Sequence, residues 1–174
     1  MIALAFGLSA CGHKESHPTV ADNEGVYVDA GPISYQVQLS RELNPFSQED
    51  RQYLIGTNAA PPKPDEFYFG VFMWAKNESK TPAPTTNSFD IVDTEGNKYY
   101  PIAINPQVNP YAWTSQTLAH LQTEPGPDTT ASFGPTQGAL VLFKLNASAF
   151  ANRPLTLEIN EPGVPKPSSV SLDL

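Results

Sequence analysis

The chain has 174 residues, enough for one domain with a sizeable core and short for two. Ten basic residues against eighteen acidic ones give a net charge of −8, and no basic cluster breaks that balance, so nucleic-acid binding is not expected. Eighteen prolines and eleven glycines, dispersed along the chain, point to many turns and strand ends and away from long helices.

Met1 to Ala10 (M-I-A-L-A-F-G-L-S-A) is uncharged and apolar. It falls short of the ~20 residues that cross a bilayer as a helix and reads as the apolar region of a secretion signal. The run Leu8-Ser9-Ala10-Cys11-Gly12 resembles the lipobox of bacterial lipoprotein signals: a leucine, two small residues and the cysteine. That resemblance implies that the Cys11 thiol receives a diacylglycerol and that Cys11 becomes the mature N-terminus. The protein would then be held at the outer side of the cell membrane by its lipid. No Lys or Arg precedes the apolar run, a departure from the pattern that fits a signal with its basic beginning missing. Cys11 is the only cysteine, so the sequence offers no internal disulfide and the fold must be held by its core.

Gly12 to Glu24 carries charge and very little apolar content, and residues 11–25 are expected to be a lipidated flexible tether ahead of a domain at 26–174. His13 and His17 beside Cys11 suggest a metal tract, but a spacer does not preorganise ligands and lipidation would consume the thiol. No bound metal or cofactor is expected.

From residue 26 the dominant period is two. In Ser34 to Ser40, Tyr35, Val37 and Leu39 fall on one face and Gln36, Gln38 and Ser40 on the other, as in a half-buried strand. Ser47-Gln48-Glu49-Asp50 places a hydroxyl at a helix start with a carboxylate three residues on, predicting one short helical turn. Phe67 to Trp74 is apolar on both faces and is the expected central strand. Phe89 to Asp93 and Lys98 to Ile102 flank Thr94-Glu95-Gly96-Asn97, a hairpin whose Gly and Asn tolerate positive φ. Asn105 to His120 has no strand period and is expected to wrap the sheet edge as an ordered loop. Ala139 to Leu145, Leu155 to Ile159 and Ser169 to Leu174 supply the last strands. No fixed-period repeat is present. The sum is an all-β, antiparallel β-sandwich with long loops.

Four segments carry a wider resemblance. They are Ala75-Lys76-Asn77-Glu78-Ser79 after the central strand, the hairpin Phe89-x-Ile91-x-Asp93-x-x-Gly96-x-x-Tyr99, the late strand Gly138 to Leu145, and Leu155-x-Leu157. In order and spacing, over about residues 27 to 160, they resemble the immunoglobulin-like domain family of small actinobacterial and other bacterial lipoproteins. That domain-of-unknown-function family includes a secreted mycobacterial immunoprotective antigen. The resemblance implies an immunoglobulin-like sandwich outside the cytoplasm, with no established catalysis. The chain departs from the family at Asn44–Pro64 and Asn105–Thr130, which are longer, and specific function is expected to reside there.

His120 is the only histidine of the expected domain, so a Ser-His-Asp site would need it beside a serine and an acid such as Asp128; no G-x-S-x-G elbow is present. The chain is not expected to be an enzyme. Met73 with His120, and with His13 and His17, is the donor set of an alternative metal-handling reading, although Met73 sits in an aromatic strand that should be core. Asp90, Asp93 and Glu95 near Gly96 suggest part of a calcium loop, but the bidentate Glu of an EF-hand is lacking and a plain turn is expected. Glu49-Asp50 and Asp65-Glu66 are sequence neighbours that point apart and make poor acid–base pairs. Asn77-Glu78-Ser79 and Asn146-Ala147-Ser148 have the glycosylation pattern and are read as turn and strand-end residues.

Arg41, Arg51 and Arg153 are the only arginines. Glu42, Glu49 and Asp50 around Arg41 and Arg51 suggest an ion-paired clamp on the insertion, with an anionic ligand as the alternative. Phe46, Tyr53, Tyr111 and Trp113 lie in loops, either anchoring them or stacking on a partner. The candidate partner contacts are Arg51, Tyr111 and Trp113. The sequence therefore predicts a monomeric binding module tethered to the membrane through Cys11 and contacting an envelope protein or glycan through its long loops.

Overall fold

A computed structural model describes residues 16–172. Its elements in chain order are β1 (Val20–Ala21), β2 (Tyr27–Ala30), β3 (Ile33–Leu43), α1 (Arg51–Leu54), β4 (Glu66–Asn77), β5 (Ala83–Pro84), β6 (Phe89–Val92), β7 (Lys98–Tyr99), β8 (Thr117–Leu118), β9 (Thr123–Glu124), α2 (Thr130–Phe133), β10 (Ala139–Asn146), a 3-10 turn (Ala147–Phe150), β11 (Leu155–Ile159) and β12 (Ser168–Leu172). One sheet runs β1-β12-β11-β6-β7 and the other β10-β4-β3-β2, with β9 on β4 and a small β5–β8 ladder beside them. The chain is thus the all-β sandwich that its period-two pattern predicts. Strand pairing is antiparallel except between β1 and β12.

β4 is the central strand, and its two apolar faces serve two different cores. Phe67, Phe69, Val71, Met73 and Ala75 point between the sheets, where they meet Tyr35, Ile91, Phe143, Leu157 and Val170. Tyr68 and Phe72 point the other way, into a second cluster with Leu43, Leu140, Leu142, Tyr53, Tyr111 and Ala131. A strand buried on both faces reads as a continuous apolar run, which is what Phe67 to Trp74 is.

β3 departs from the expected simple alternation. Its register against β4 shifts between Val37 and Leu39. A bulged residue reverses which face the following side chains take. Ile33, Tyr35 and Val37 therefore join the core between the sheets, Leu39 is exposed, and Leu43 joins the second cluster.

Both lateral seams of the sandwich are closed by segments that bond to both sheets. On one side, the Asp29 N–H of β2 donates to the Pro18 carbonyl and the Ser169 N–H of β12 donates to the Thr19 carbonyl. The expected tether is corrected here: residues 17–25 belong to the sandwich, and β1 lies along β12. These residues are held by backbone hydrogen bonds, by the polar side chains of His17 and Glu24, and by one buried apolar side chain, Ala21, so they leave no apolar signature. Residues 1–10, Cys11 and His13 lie outside the described residues. On the other side, β7 pairs with β6 for two residues, then Pro101 bridges to Phe143 and the Ile102 N–H donates to the Leu142 carbonyl. The expected strand to Ile102 is cut short because Pro101 has no N–H to continue the ladder.

Candidate functional site

The insertion after β3 is held by Arg41 and Asp50. The Arg41 guanidinium donates to Asp50 Oδ1 at 2.6 Å and lies 5.8 Å from the centre of the Tyr53 ring, while the Asn44 N–H donates to Asp50 Oδ2 at 2.8 Å. Burial alone would raise the Asp50 carboxyl; the Arg41 and Asn44 hydrogen bonds together outweigh it and hold it below the ordinary carboxylate range. With Asp50 spent in this way, the expected helix starts later, at Arg51, and Ser47 Oγ instead accepts the Glu49 N–H at 3.2 Å. Of the clamp expected around Arg41 and Arg51, the Arg41–Asp50 pair forms. Arg51 is exposed and has no ion-pair partner among the described residues.

The second long loop lies on the first. Buried Asn109 donates through Nδ2 to the Tyr53 and Ile55 carbonyls, both at 2.9 Å, and accepts the Tyr111 N–H at 2.9 Å. Tyr111 packs edge-on against Tyr53 with ring centres 4.8 Å apart and donates its hydroxyl to Gln52 Oε1 at 2.8 Å. Tyr111 is buried, so the expected partner contact there is corrected: it anchors its loop. Trp113 is half-buried. Its indole N–H donates to the Thr86 carbonyl at 2.9 Å, and its ring packs against Tyr35 and Phe89. The backbone follows the edge of β10, with the Leu140 N–H donating to the Tyr111 carbonyl and the Trp113 N–H to the Leu140 carbonyl.

Between residues 101–104 and Ala112–Trp113, both running alongside β10, lies a half-open cavity of about 300 Å³. Phe89, Ile102, Ile104, Trp113, Leu140 and Leu142 line it, and Asn87 supplies a carboxamide. Elsewhere in the two loops and in α2, apolar side chains are turned to solvent: Phe46 is 92% exposed, Phe133 75%, and Ile55 and Val108 53% each. Val108 lies directly over Gly56, where an added Cβ would come within 2.6 Å of its Cγ2, so the tips of the two loops are joined. Of these residues only Phe46 and Trp113 stood out in the sequence. Ile55, Val108 and Phe133 are single apolar residues in polar context, and only folding groups them on one covering layer.

Among the described residues, the chemistry-bearing side chains lie apart. Met73 is fully buried between the sheets, whereas His120 is exposed with Nδ1 2.8 Å from the Ser79 carbonyl, and His17 Nε2 lies 3.6 Å from Glu78 Oε2. Among the described residues, no group of three or more His, Cys, Asp or Glu side chains is arranged to hold a metal. Asp93 is a turn staple: its oxygens accept the Glu95 and Asn97 N–H groups and the side-chain amides of Asn97 and Asn152 at 2.9–3.1 Å. Burial pushes its carboxyl up, and these donors together bring it below the ordinary range. Asn77 is wholly buried and pins the turn after β4 by donating to the Thr81 and Leu118 carbonyls. The sequence reading missed two buried acids. Burial raises Glu124 to about 6 against the lowering effect of its Gln116 hydrogen bond, and burial raises Glu161 beside the Tyr35 hydroxyl.

No family model matches the chain, and no curated protein matches it. Solved structures do. The chain is similar to the yjhA protein from Bacillus subtilis, with 12% identity over 87% of this chain and 99% of that one and a TM-score of 0.51. It is similar to a putative lipoprotein, ycdA, from the same organism, with 11% identity and a TM-score of 0.52, covering 88% of this chain and 39% of that one. It is also similar to an uncharacterized β-sandwich protein from Clostridium difficile, with 12% identity and a TM-score of 0.45 over 92% and 99% of the two chains. At these identities the likeness is one of fold.

Proposed function

We propose that this chain is a non-catalytic interaction module, anchored outside the cytoplasmic membrane by a lipid on Cys11, that contacts an envelope protein or glycan through its loop layer. The observation that carries the reading is a firmly held layer that turns large apolar side chains to solvent. Tyr53, Asn109 and Tyr111 fix the backbone of the loops, while Phe46, Ile55 and Val108 on those loops and Phe133 of α2 are turned to solvent. Exposed apolar side chains grouped on a rigid support are the hallmark of a binding surface. The lipobox pattern at Leu8 to Gly12, the resemblance to actinobacterial lipoproteins with an immunoglobulin-like domain, and the likeness to ycdA support the location.

Two measurements test it. Intact mass and membrane fractionation of the native protein and of Cys11→Ala should show a diacylglyceryl increment on a membrane-bound chain, both lost in the variant; an unmodified soluble native chain defeats the anchor. Retention on isolated cell-wall sacculi and on solubilised envelope proteins should fall at least about tenfold in Phe46→Ser/Phe133→Ser, the loss expected when exposed aromatic anchors are removed from an interface. Unchanged retention with an unchanged melting temperature defeats the loop surface.

A further inference from the structure

Among the described residues, contacts with the sandwich begin at His17, six positions after Cys11 in the sequence. The His17 N–H donates to Asp29 Oδ2 at 3.1 Å, its ring stacks on Tyr27 with centres 5.3 Å apart, and its Nε2 lies 3.6 Å from Glu78 Oε2. Whatever path the intervening residues take, they span at most about 21 Å. His17 sits at the end of the sandwich where β3 starts and β4 finishes, since Ile33 pairs with Asn77. The insertion after Leu43 leaves from the opposite end of β3, whose 11 residues extend roughly 35 Å.

The end near His17 carries a tip of distinctive chemistry. Leu121 is 56% exposed and holds a positive φ of 63°, a conformation that a leucine rarely takes. The turn is fastened from behind: the Leu121 N–H donates to the Asn77 carbonyl at 2.7 Å, the Asn77 N–H to the Gln122 carbonyl at 3.0 Å, and the Ala119 N–H to Gln122 Oε1 at 2.8 Å. His120 Nδ1 lies 2.8 Å from the Ser79 carbonyl, which brings the turn beside exposed Lys80. Glu78, the carboxylate next to this tip, is engaged by Lys76 at 2.9 Å. A projecting leucine beside a lysine suits the boundary between anionic headgroups and acyl chains.

We propose that this tip, formed by Lys80, His120 and Leu121, rests against the anionic phospholipid headgroups of the bilayer that holds Cys11, and that the loop insertion is thereby turned outward. The proposal rests on the lipidation of Cys11 proposed above. The short reach from Cys11 places this end at the membrane, and the length of β3 places Phe46 about one strand length farther out.

The test uses the full lipidated chain in vesicles of phosphatidylcholine and phosphatidylglycerol carrying a headgroup acceptor dye, with intact mass confirming the diacylglyceryl on Cys11. Energy transfer from a donor on Leu121→Cys should exceed that from Phe46→Cys severalfold. A Gly–Ser insertion of about twelve residues after Glu15 should reduce the difference, because it frees the domain to tumble. In the uninserted chain labelled at Lys166→Cys as a neutral reporter, Lys80→Glu/Leu121→Ser should lower transfer. Equal transfer from positions 121 and 46 on lipidated protein overturns the orientation while leaving the anchor intact. A native chain without lipid that stays in the soluble fraction overturns both, and the mass distinguishes the two failures.

Discussion

The outer faces of the two sheets differ more than their inner ones. On the sheet containing β6, β11 and β12, the outward residues Asp90, Thr156, Glu158, Ser169 and Ser171 are polar and partly exposed, with Val92 an apolar residue among them, and Lys98 bridges Asp90 and Glu158. On the sheet containing β3, β4 and β10, the outward residues Leu43, Tyr68, Phe72, Leu140 and Leu142 are buried beneath α1, α2 and the two long loops. A sheet with one wet face needs nothing more to be stable, whereas an apolar outer face must be covered. The long loops are thus part of the fold before they are candidates for function, and their exposed side chains are a separate addition.

If that contrast is correct, the same truncation costs very different amounts on the two faces. Tyr53→Ala should destabilise by about 3–5 kcal/mol, as large aromatic deletions from packed sites do. Thr156→Ala on the open face should stay within about 0.5 kcal/mol. Urea unfolding of the two variants decides this; equal effects would mean the loop layer is not part of the cooperative core.

A smaller effect distinguishes the two arginines of the insertion. Arg41→Ala should cost about 1–2 kcal/mol, because it leaves Asp50 partly buried without its partner, whereas Arg51→Ala should change stability by less than about 0.5 kcal/mol. The Asp50 carboxyl is held below its ordinary value of 3.8, so the pair contributes fully above that pH and its contribution is lost as pH falls through the lowered value. Acid titration of stability should therefore be shallower in Arg41→Ala than in the native chain.

Glu124 gives the smallest effect, of opposite sign. Its carboxyl, raised from 4.5 to about 6, binds its proton more tightly folded than unfolded. Native stability should accordingly fall as pH rises from about 4.5 to 6 and change no further from this group above that. Glu124→Gln should remove this slope and raise stability at pH 7 by about 1 kcal/mol, measured by thermal unfolding across that pH range. A variant less stable than the native chain at pH 7 would mean that the Gln116–Glu124 contact outweighs the burial.

The strands that the sequence disclosed are those whose side chains alone determine their burial. Phe67 to Trp74 and Ala139 to Leu145 announce themselves by apolar content, and Phe89 to Tyr99 by a turn that Gly96 and Asn97 permit. Two things were hidden. The seam at residues 17–21 is held mainly through main-chain groups, Pro18 and Thr19 as carbonyl acceptors, and through the His17 ring, none of which gives an apolar pattern, so composition makes it look like spacer. The bulge at Gln38 is a register event, and no property of Leu39 announces that its side chain turns outward. The candidate surface is legible in part: the two insertions stand out, but whether Tyr111 anchors its loop or meets a partner does not, because an aromatic in a loop carries no mark of which way it faces.

What the sequence determined by itself is the class of fold, from alternation and turn chemistry that act between residues close along the chain. The tertiary structure alone decided that Asp50 pairs with Arg41, that Tyr111 rests on Tyr53, and that Ile55 and Val108 share one exposed layer. The Arg41–Asp50 pair depends on the insertion folding back within nine residues, and the other two outcomes on segments far apart in sequence meeting over the outer face of a sheet. The physical reason is that an apolar surface must be covered by whatever chain is near enough to reach it, and proximity in space is not written in local periodicity.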